Sequence, residues 1–132
     1  MKIVADANVL IRAVVDDDKH QARQAMIALR TADEIAITIP AFCEFVWVLE
    51  QRYRRSRGDV AAGIRTLISD RRVVCDQVAV HAGLTMMDAG GDFADGVIAF
   101  DGRRLGGNVF VTFDKRAARL IAAGGGSVEL LS

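Results

Sequence analysis

The chain has 132 residues, of which 52% are apolar, so it has the length and the apolar content to bury the core of one ordinary domain. Because 17 basic residues balance 17 acidic residues, the net charge of zero favours no class of partner. The composition excludes a disordered chain, no apolar run approaches the roughly 18 residues of a membrane helix, and Asp6 comes too early for a secretory signal peptide.

Only two cysteines, Cys43 and Cys75, are present, and each lies among apolar residues. Without a secretory signal they indicate reduced thiols and a cytoplasmic protein. The chain contains neither a CxxC pair nor an HExxH helix, which leaves little support for a zinc site. We therefore expect a single cytoplasmic domain over residues 1–132.

Short apolar runs alternate with helical patterns along the chain. Pro40 suits the first turn of a helix because its φ is fixed, and the glycines at 124–126 indicate a helix end. The alternation predicts right-handed βαβ crossovers and an α/β fold, with a central, mainly parallel sheet of four to five strands covered on both faces. The predicted strands are 2–5, 35–38, 72–74, 108–112 and 127–130, and the predicted helices are 19–31, 41–55, 59–69, 77–89, 94–105 and 114–123.

Acidic residues follow the first and the fourth predicted strands. Asp6 comes directly after 2–5, and Asp114 comes after 108–112, at the start of the next helix. Sites in parallel sheets form beyond the carboxyl ends of the strands, so both residues are expected along one edge. Each also has a simpler explanation as a helix N-cap, although Asn8 competes with Asp6 for that role.

Glu44 interrupts "AFCEFVWVL", whose other eight residues are all apolar. A buried carboxylate is costly unless it has a cation, a partner or access to solvent. Weak stabilisation by the helix dipole is one explanation. The interpretation that fits better is a carboxylate that faces a cleft from an otherwise buried helix.

The segment "GGDFADG", residues 90–96, allows two interpretations: a glycine-rich loop like that of cyclic-dinucleotide synthases, or a turn that delivers a carboxylate to a metal site. A synthase would need a further acid between Asp92 and Phe93 and a longer domain, so the second interpretation is favoured. Asp95 opens a helix, with Asp92 as the competing cap. The apolar residues of that helix are predicted to form one stripe, consisting of Ala94, Val97, Ile98 and Leu105.

Acids gathered at one edge of a sheet repel one another and raise one another's pKa. A divalent cation relieves that repulsion. Oxygen ligands without histidine or cysteine select Mg²⁺, for which Mn²⁺ can substitute. The sequence therefore predicts a centre for one or two such ions.

Four separated motifs resemble the PIN domain, and most closely its VapC-type ribonuclease toxins: "IVADANVLI", Glu44, "DFADGVIA" and "VTFDK". The resemblance spans nearly the whole chain and implies a three-layer α/β/α sandwich. It also implies a metal-binding quartet of Asp6, Glu44, Asp95 and Asp114, with Asn8 and Thr112 as polar helpers and Asp92 as an accessory acid. Gly96 stands where relatives usually carry alanine, and we expect it to loosen the start of its helix.

By resemblance, the protein is a metal-dependent endoribonuclease toxin that cleaves RNA by a metal-activated water and is inhibited by a VapB-type antitoxin. A homodimer is expected, because the helix 41–55 carries more apolar side chains than one face can bury. "RYRRSR", residues 52–57, is interpreted as a solvated helix end. The cations expected to contact RNA phosphates, because they border the acids, are Arg103, Lys115 and Arg116.

Other functions fit the sequence less well. An aspartate-nucleophile phosphatase requires a second aspartate at the position of Asn8, and a phosphoacceptor receiver domain requires an acidic pair after the first strand. A catalytically silent PIN-like binding module is the non-enzymatic alternative. Presence of all four acids favours the enzyme.

Overall fold

The structure, a computed structural model, describes residues 1–132 and confirms the α/β class. All five predicted strands are present, and seven helices lie between them in the chain. The strands are β1 (Lys2–Val4), β2 (Glu34–Ala36), β3 (Val73–Val74), β4 (Phe110–Thr112) and β5 (Val128–Leu130). The helices are α1 (Ala7–Val14), α2 (Lys19–Thr31), α3 (Ile39–Gln51), α4 (Arg57–Ser69), α5 (Gln77–Asp88), α6 (Phe93–Arg104) and α7 (Lys115–Ala123).

Every strand pairing is parallel, as predicted. The hydrogen bonds group the strands into a three-stranded sheet of order β1-β2-β3 and a two-stranded sheet of β4 and β5, not into one sheet. In the first sheet Ile35 stands opposite both Ile3 and Val73, and in the second Phe110 stands opposite Val128. Each pairing extends over only two or three residues, so the sheets are short.

The chain divides into two compact units, Met1–Asp76 and Gln77–Ser132. The first contains the three-stranded sheet with α1 to α4, and the second contains α5 to α7 with the two-stranded sheet. A single domain over residues 1–132 stays a prediction. None of the seven helices combines the length and the apolar character that crossing a membrane requires.

Helix α3 of the first unit begins where the proline predicted. Pro40 lies in its first turn, and the Thr38 hydroxyl accepts a hydrogen bond from the Ala41 amide at 3.3 Å. The expectation that this helix exposes a broad apolar surface is wrong, because Trp47 is its only exposed large apolar side chain, at 62%. Five of its other large apolar side chains are buried in the core of the unit: Phe42, Phe45, Val46, Val48 and Leu49.

Helix α6 of the second unit buries only part of the predicted apolar stripe. Phe93 and Val97 are buried, together with Gly96, whereas Ile98 is 58% exposed and Leu105 is 89% exposed. The prediction failed for Leu105 because the helix ends at Arg104, and for Ile98 because close packing against α5 selects the face that contains Gly96.

Candidate metal centre

The two glycines that open "GGDFADG" end helix α5. Gly90 has a φ of +96°, which is unfavourable for residues with a Cβ atom. Its amide donates to the Met87 carbonyl at 2.9 Å, and the Gly91 amide donates to the Met86 carbonyl at 2.8 Å. This pair of bonds is the Schellman arrangement, which satisfies the last carbonyls of a helix. The glycines therefore turn the chain sharply from α5 into Asp92.

Asp92 and Asp95 lie at the beginning of α6. Asp92 occupies the N-cap position, but its side chain makes no capping hydrogen bond. Asp95 lies in the first turn of the same helix, where the positive end of the helix dipole favours a negative charge. Capping by its side chain thus does not explain why an aspartate stands at position 92.

Asp114 begins helix α7, two residues after β4. Its Oδ1 accepts a hydrogen bond from the Ala117 amide at 3.0 Å, so the N-cap explanation is correct for this residue. Its own amide donates to the Thr112 hydroxyl at 3.0 Å, which fixes the turn between strand and helix. A carboxylate has two oxygens, so the cap leaves Asp114 with capacity to bind a cation.

These three aspartates form a cluster. One carboxylate oxygen from each of Asp92, Asp95 and Asp114 lies within 4.8 Å of the other two. They line a cleft of about 250 Å³ together with Gly91, Arg116 and Ala117. Burial raises the pKa of Asp95 above its ordinary value, and the charges of Asp92 and then Asp114 raise it further.

A PIN domain family model matches residues 3–122, which is most of the chain. The chain belongs to the PIN domain family. PIN domains are typically metal-dependent nucleases, and they usually use divalent ions. A search of curated proteins found no match.

The clustered residues of this PIN domain fit a divalent cation. Three carboxylates supply hard oxygen ligands, and no histidine or cysteine belongs to the cluster. A cation would also relieve the mutual repulsion that contributes to the raised pKa of Asp95. Asp92, which the sequence indicated only as an accessory acid, is a full member of the cluster.

The other two acids of the predicted quartet lie in the first unit of the PIN domain. Asp6 occupies the N-cap position of α1, where its side chain makes no capping hydrogen bond. Glu44 is exposed on α3, so access to solvent explains how a helix with so many apolar side chains tolerates it. Asn8 is exposed on α1 and lines a groove with Arg12 and Gln21. Their roles at the metal stay predictions.

Of the three cations assigned to RNA, Arg116 lines the acidic cleft, and its Nη1 donates to the Gly90 carbonyl at 3.4 Å. Lys115 is exposed directly after Asp114. Arg103 lies eight residues beyond Asp95 in α6, about 12 Å along the helix axis. It lines a separate, mainly apolar groove of about 430 Å³ and not the acidic cleft.

Sequence reasoning missed two residues of the cleft, Gly91 and Ala117. Neither has a side chain that carries chemistry, so composition and spacing gave no reason to choose them. Both contribute through the backbone: Gly91 directly precedes Asp92, and the Ala117 amide donates a hydrogen bond to the Asp114 carboxylate. A search for helix N-caps would have found Ala117.

Proposed function

We propose that this PIN domain is a metal-dependent endoribonuclease of the VapC toxin type, which acts in the cytoplasm and uses Mg²⁺ or Mn²⁺. The observation that carries the proposal is the convergence of three carboxylates in one cleft, with a raised pKa at the most buried of them. Clustered groups with perturbed pKa values are typical of functional sites. The two free cysteines agree with a reducing compartment.

In this proposal Asp92, Asp95 and Asp114 bind the cation. A divalent ion held by these carboxylates would supply the positive charge that activates a water and stabilises negative charge on the phosphoryl oxygens of the substrate. Asp6 and Glu44 are assigned as further ligands, with Asn8 and Thr112 as polar helpers, on the resemblance to the family. That resemblance also suggests products with a 5′-phosphate and a 3′-hydroxyl.

In this proposal, basic side chains around the aspartates contact the RNA phosphates. Arg116 is exposed and lines the acidic cleft, which suits it to hold the phosphate next to the scissile bond. Lys115, directly after Asp114, would add a weaker and less directional contact. Arg103 is proposed to contact a more distant phosphate, because it lies near the other end of α6.

Cleavage of RNA tests the enzymatic proposal. Purified wild-type protein is expected to cleave RNA in Mn²⁺ and not in EDTA, and Asp95→Asn is expected to abolish cleavage while its circular dichroism spectrum is unchanged. Asp16→Asn is the matched control, because it makes the same change at an exposed residue outside the cluster. Metal-dependent binding of RNA without cleavage would favour the silent binding module.

The proposed partners are a VapB-type antitoxin and a second copy of the chain. Because α3 exposes only Trp47 among its large apolar residues, the dimer rests on the family resemblance and not on that helix. Sedimentation at micromolar concentration is expected to give a dimer. Addition of the protein encoded next to this gene is expected to inhibit cleavage, and undiminished cleavage would contradict the toxin assignment.

A further inference from the structure

Helices α5 and α6 cross at a point where there is no room for a side chain on α6. A Cβ atom at Gly96 would lie 2.6 Å from the carbonyl oxygen of Ala82, 2.8 Å from Cβ of Met86 and 3.1 Å from Cα of Gly83. These atoms belong to the α5 backbone or are bonded directly to it. Rotation of a side chain therefore cannot relieve the contact, and only a shift of one helix relative to the other can.

A second close contact lies on the other side of the same short segment. A Cβ atom at Gly91 would lie 2.6 Å from Sδ of Met86 and 2.7 Å from Cδ1 of Leu120. Those atoms are the ends of flexible side chains, so this contact can be relieved at a smaller cost. Gly91 and Gly96 thus both pack onto Met86, and they enclose the segment that carries Asp92 and Asp95.

The third acid of the cluster is held by different means. Asp114 is fixed by its bonds to the Ala117 amide and the Thr112 hydroxyl, at the beginning of α7. A movement of α6 away from α5 would therefore carry Asp92 and Asp95 without carrying Asp114. The separation of the carboxylate oxygens, now within 4.8 Å, depends on how closely α6 packs against α5.

We propose that Gly91 and Gly96 are positioning residues for the metal centre, with Gly96 the more important of the two. Their lack of a side chain lets α6 approach α5 closely enough to bring Asp92 and Asp95 to Asp114. This role rests on the proposed function. It also replaces the expectation that Gly96 only loosens the start of its helix.

The dissociation constant for Mn²⁺ tests whether the two glycines position the metal ligands. Titrations of the purified full-length protein, followed by the electron paramagnetic resonance of free Mn²⁺, give a dissociation constant without any dependence on catalysis. Gly96→Ala is expected to raise that constant about 10-fold or more, as changes in the groups that orient metal ligands usually do. Gly91→Ala is expected to raise it by a smaller factor, because the side chains of Met86 and Leu120 can move.

Two matched variants separate positioning from stability. Gly102→Ala changes the same helix at a point where nothing lies within 4 Å of the added Cβ, so the dissociation constant should stay at the wild-type value. Val97→Ala removes a buried side chain without pushing α6 away, so it should lower the melting temperature and leave the dissociation constant unchanged. If the glycines serve only stability, the Mn²⁺ affinity of the four variants should instead fall in parallel with their melting temperatures.

The possible results are distinct. If folded Gly96→Ala binds Mn²⁺ as tightly as the wild type, the positioning role is wrong and the proposed function stands. If Gly96→Ala does not fold, Gly91→Ala decides the question, and a wild-type dissociation constant there would overturn the inference. Absence of Mn²⁺ binding by the wild type would overturn both the inference and the proposed metal centre.

Discussion

Asp114 combines a structural role with a place in the acidic cluster. Its Oδ1 caps α7, and an oxygen of the same carboxylate lies within 4.8 Å of oxygens from Asp92 and Asp95. An N-cap needs only a side-chain oxygen, whereas a cation site needs the negative charge. The two roles can therefore be separated by substitution.

Asp114→Asn and Asp114→Ala should differ in stability and agree in metal binding. Asparagine caps a helix about as well as aspartate, so the free energy of unfolding should stay within a few tenths of a kcal/mol, whereas alanine should lower it by about 1 kcal/mol. Both variants should bind Mn²⁺ more weakly than the wild type. Urea denaturation and Mn²⁺ titration check the two parts, and unchanged Mn²⁺ affinity in Asp114→Asn would remove this residue from the centre.

Asp95 gives the metal-free protein a pH dependence of known sign. Its pKa lies above the ordinary value of 3.8 because of burial and then the charges of Asp92 and Asp114. The folded chain therefore holds this proton more tightly than the unfolded chain does. As a result, the metal-free fold loses stability as the pH rises from about 3.8 through the raised pKa, and it regains that stability on acidification.

Asp95→Asn should remove this contribution. In EDTA the variant is expected to be as stable as the wild type near pH 4 and more stable at pH 7, because only the wild type must ionise a disfavoured carboxyl group. Thermal melts over this pH range, with Asp16→Asn as the control, measure the difference. A variant that is less stable than the wild type at pH 7 would mean that the Asp95 charge is favourably compensated within the protein.

At the scale of helices and strands, much could be read from the sequence. Helix α2 has the predicted bounds, and the end of α7 coincides with the glycine run, where Gly125 has a φ of +93°. These features depend on local chemistry, namely apolar periodicity and the freedom of glycine at a helix end. Helix α1 was expected only from a possible cap at its start, because its eight residues are too few to show a clear period.

The errors concern packing between elements. Helix α3 was expected to expose a broad apolar surface, yet the first unit buries most of its large apolar side chains and leaves Trp47 exposed. The close contact between Gly96 and the carbonyl of Ala82 depends on a distance across two helices, which a single sequence does not specify. For the same reason the sequence placed Asp92 beside the metal site as an accessory acid, although it belongs to the cluster.

Arg72 connects the end of one helix with the start of a strand in the first unit. Its Nη1 donates to the carbonyls of Leu29, Arg30 and Ala32 at 2.7, 3.1 and 3.2 Å, where α2 ends. Nε and Nη2 donate to the Asp70 carboxylate at 3.2 and 2.9 Å. One planar guanidinium thus satisfies carbonyls that the helix leaves without partners.

Arg72→Lys should lower the free energy of unfolding, because an ammonium group cannot reproduce this fork of donors. Mn²⁺ affinity should not change, since Arg72 lies outside the acidic cluster. Urea denaturation and Mn²⁺ titration of the same preparation check both statements. Loss of Mn²⁺ binding in the folded variant would show that the binding depends on Arg72, which contradicts a site formed by the acidic cluster alone.

At the scale of the whole molecule, the net charge is zero, and the proposed ribonuclease function would require this chain to bind a polyanion. The acidic cleft by itself repels phosphate. A basic side chain at its edge should therefore contribute more to RNA binding than the overall charge suggests. Arg116→Gln is expected to weaken RNA binding similarly for all sequences and to reduce the slope of log K against log salt concentration by about 0.7.

The matched control is Arg119→Gln, an exposed arginine of the same helix that does not line the cleft. Its effect on the salt slope should be the smaller of the two. Both changes are to be measured in an Asp95→Asn background, so that RNA is not cleaved during the titration. Equal slopes for the two variants would remove the special role of Arg116.

The metal centre itself is tested most directly by melting curves in EDTA and in Mn²⁺, for the wild type, Asp95→Asn, Asp6→Asn and Asp16→Asn. At a Mn²⁺ concentration about one hundred times the dissociation constant, binding to the folded state alone adds about 2.7 kcal/mol, or roughly 5–15 °C in a domain of this size. We expect that rise in the wild type and Asp16→Asn, and little or none in Asp95→Asn. A smaller rise in Asp6→Asn, with its stability in EDTA unchanged or higher, would add Asp6 to the ligands. An equal rise in the wild type and Asp95→Asn would contradict the metal centre formed by Asp92, Asp95 and Asp114.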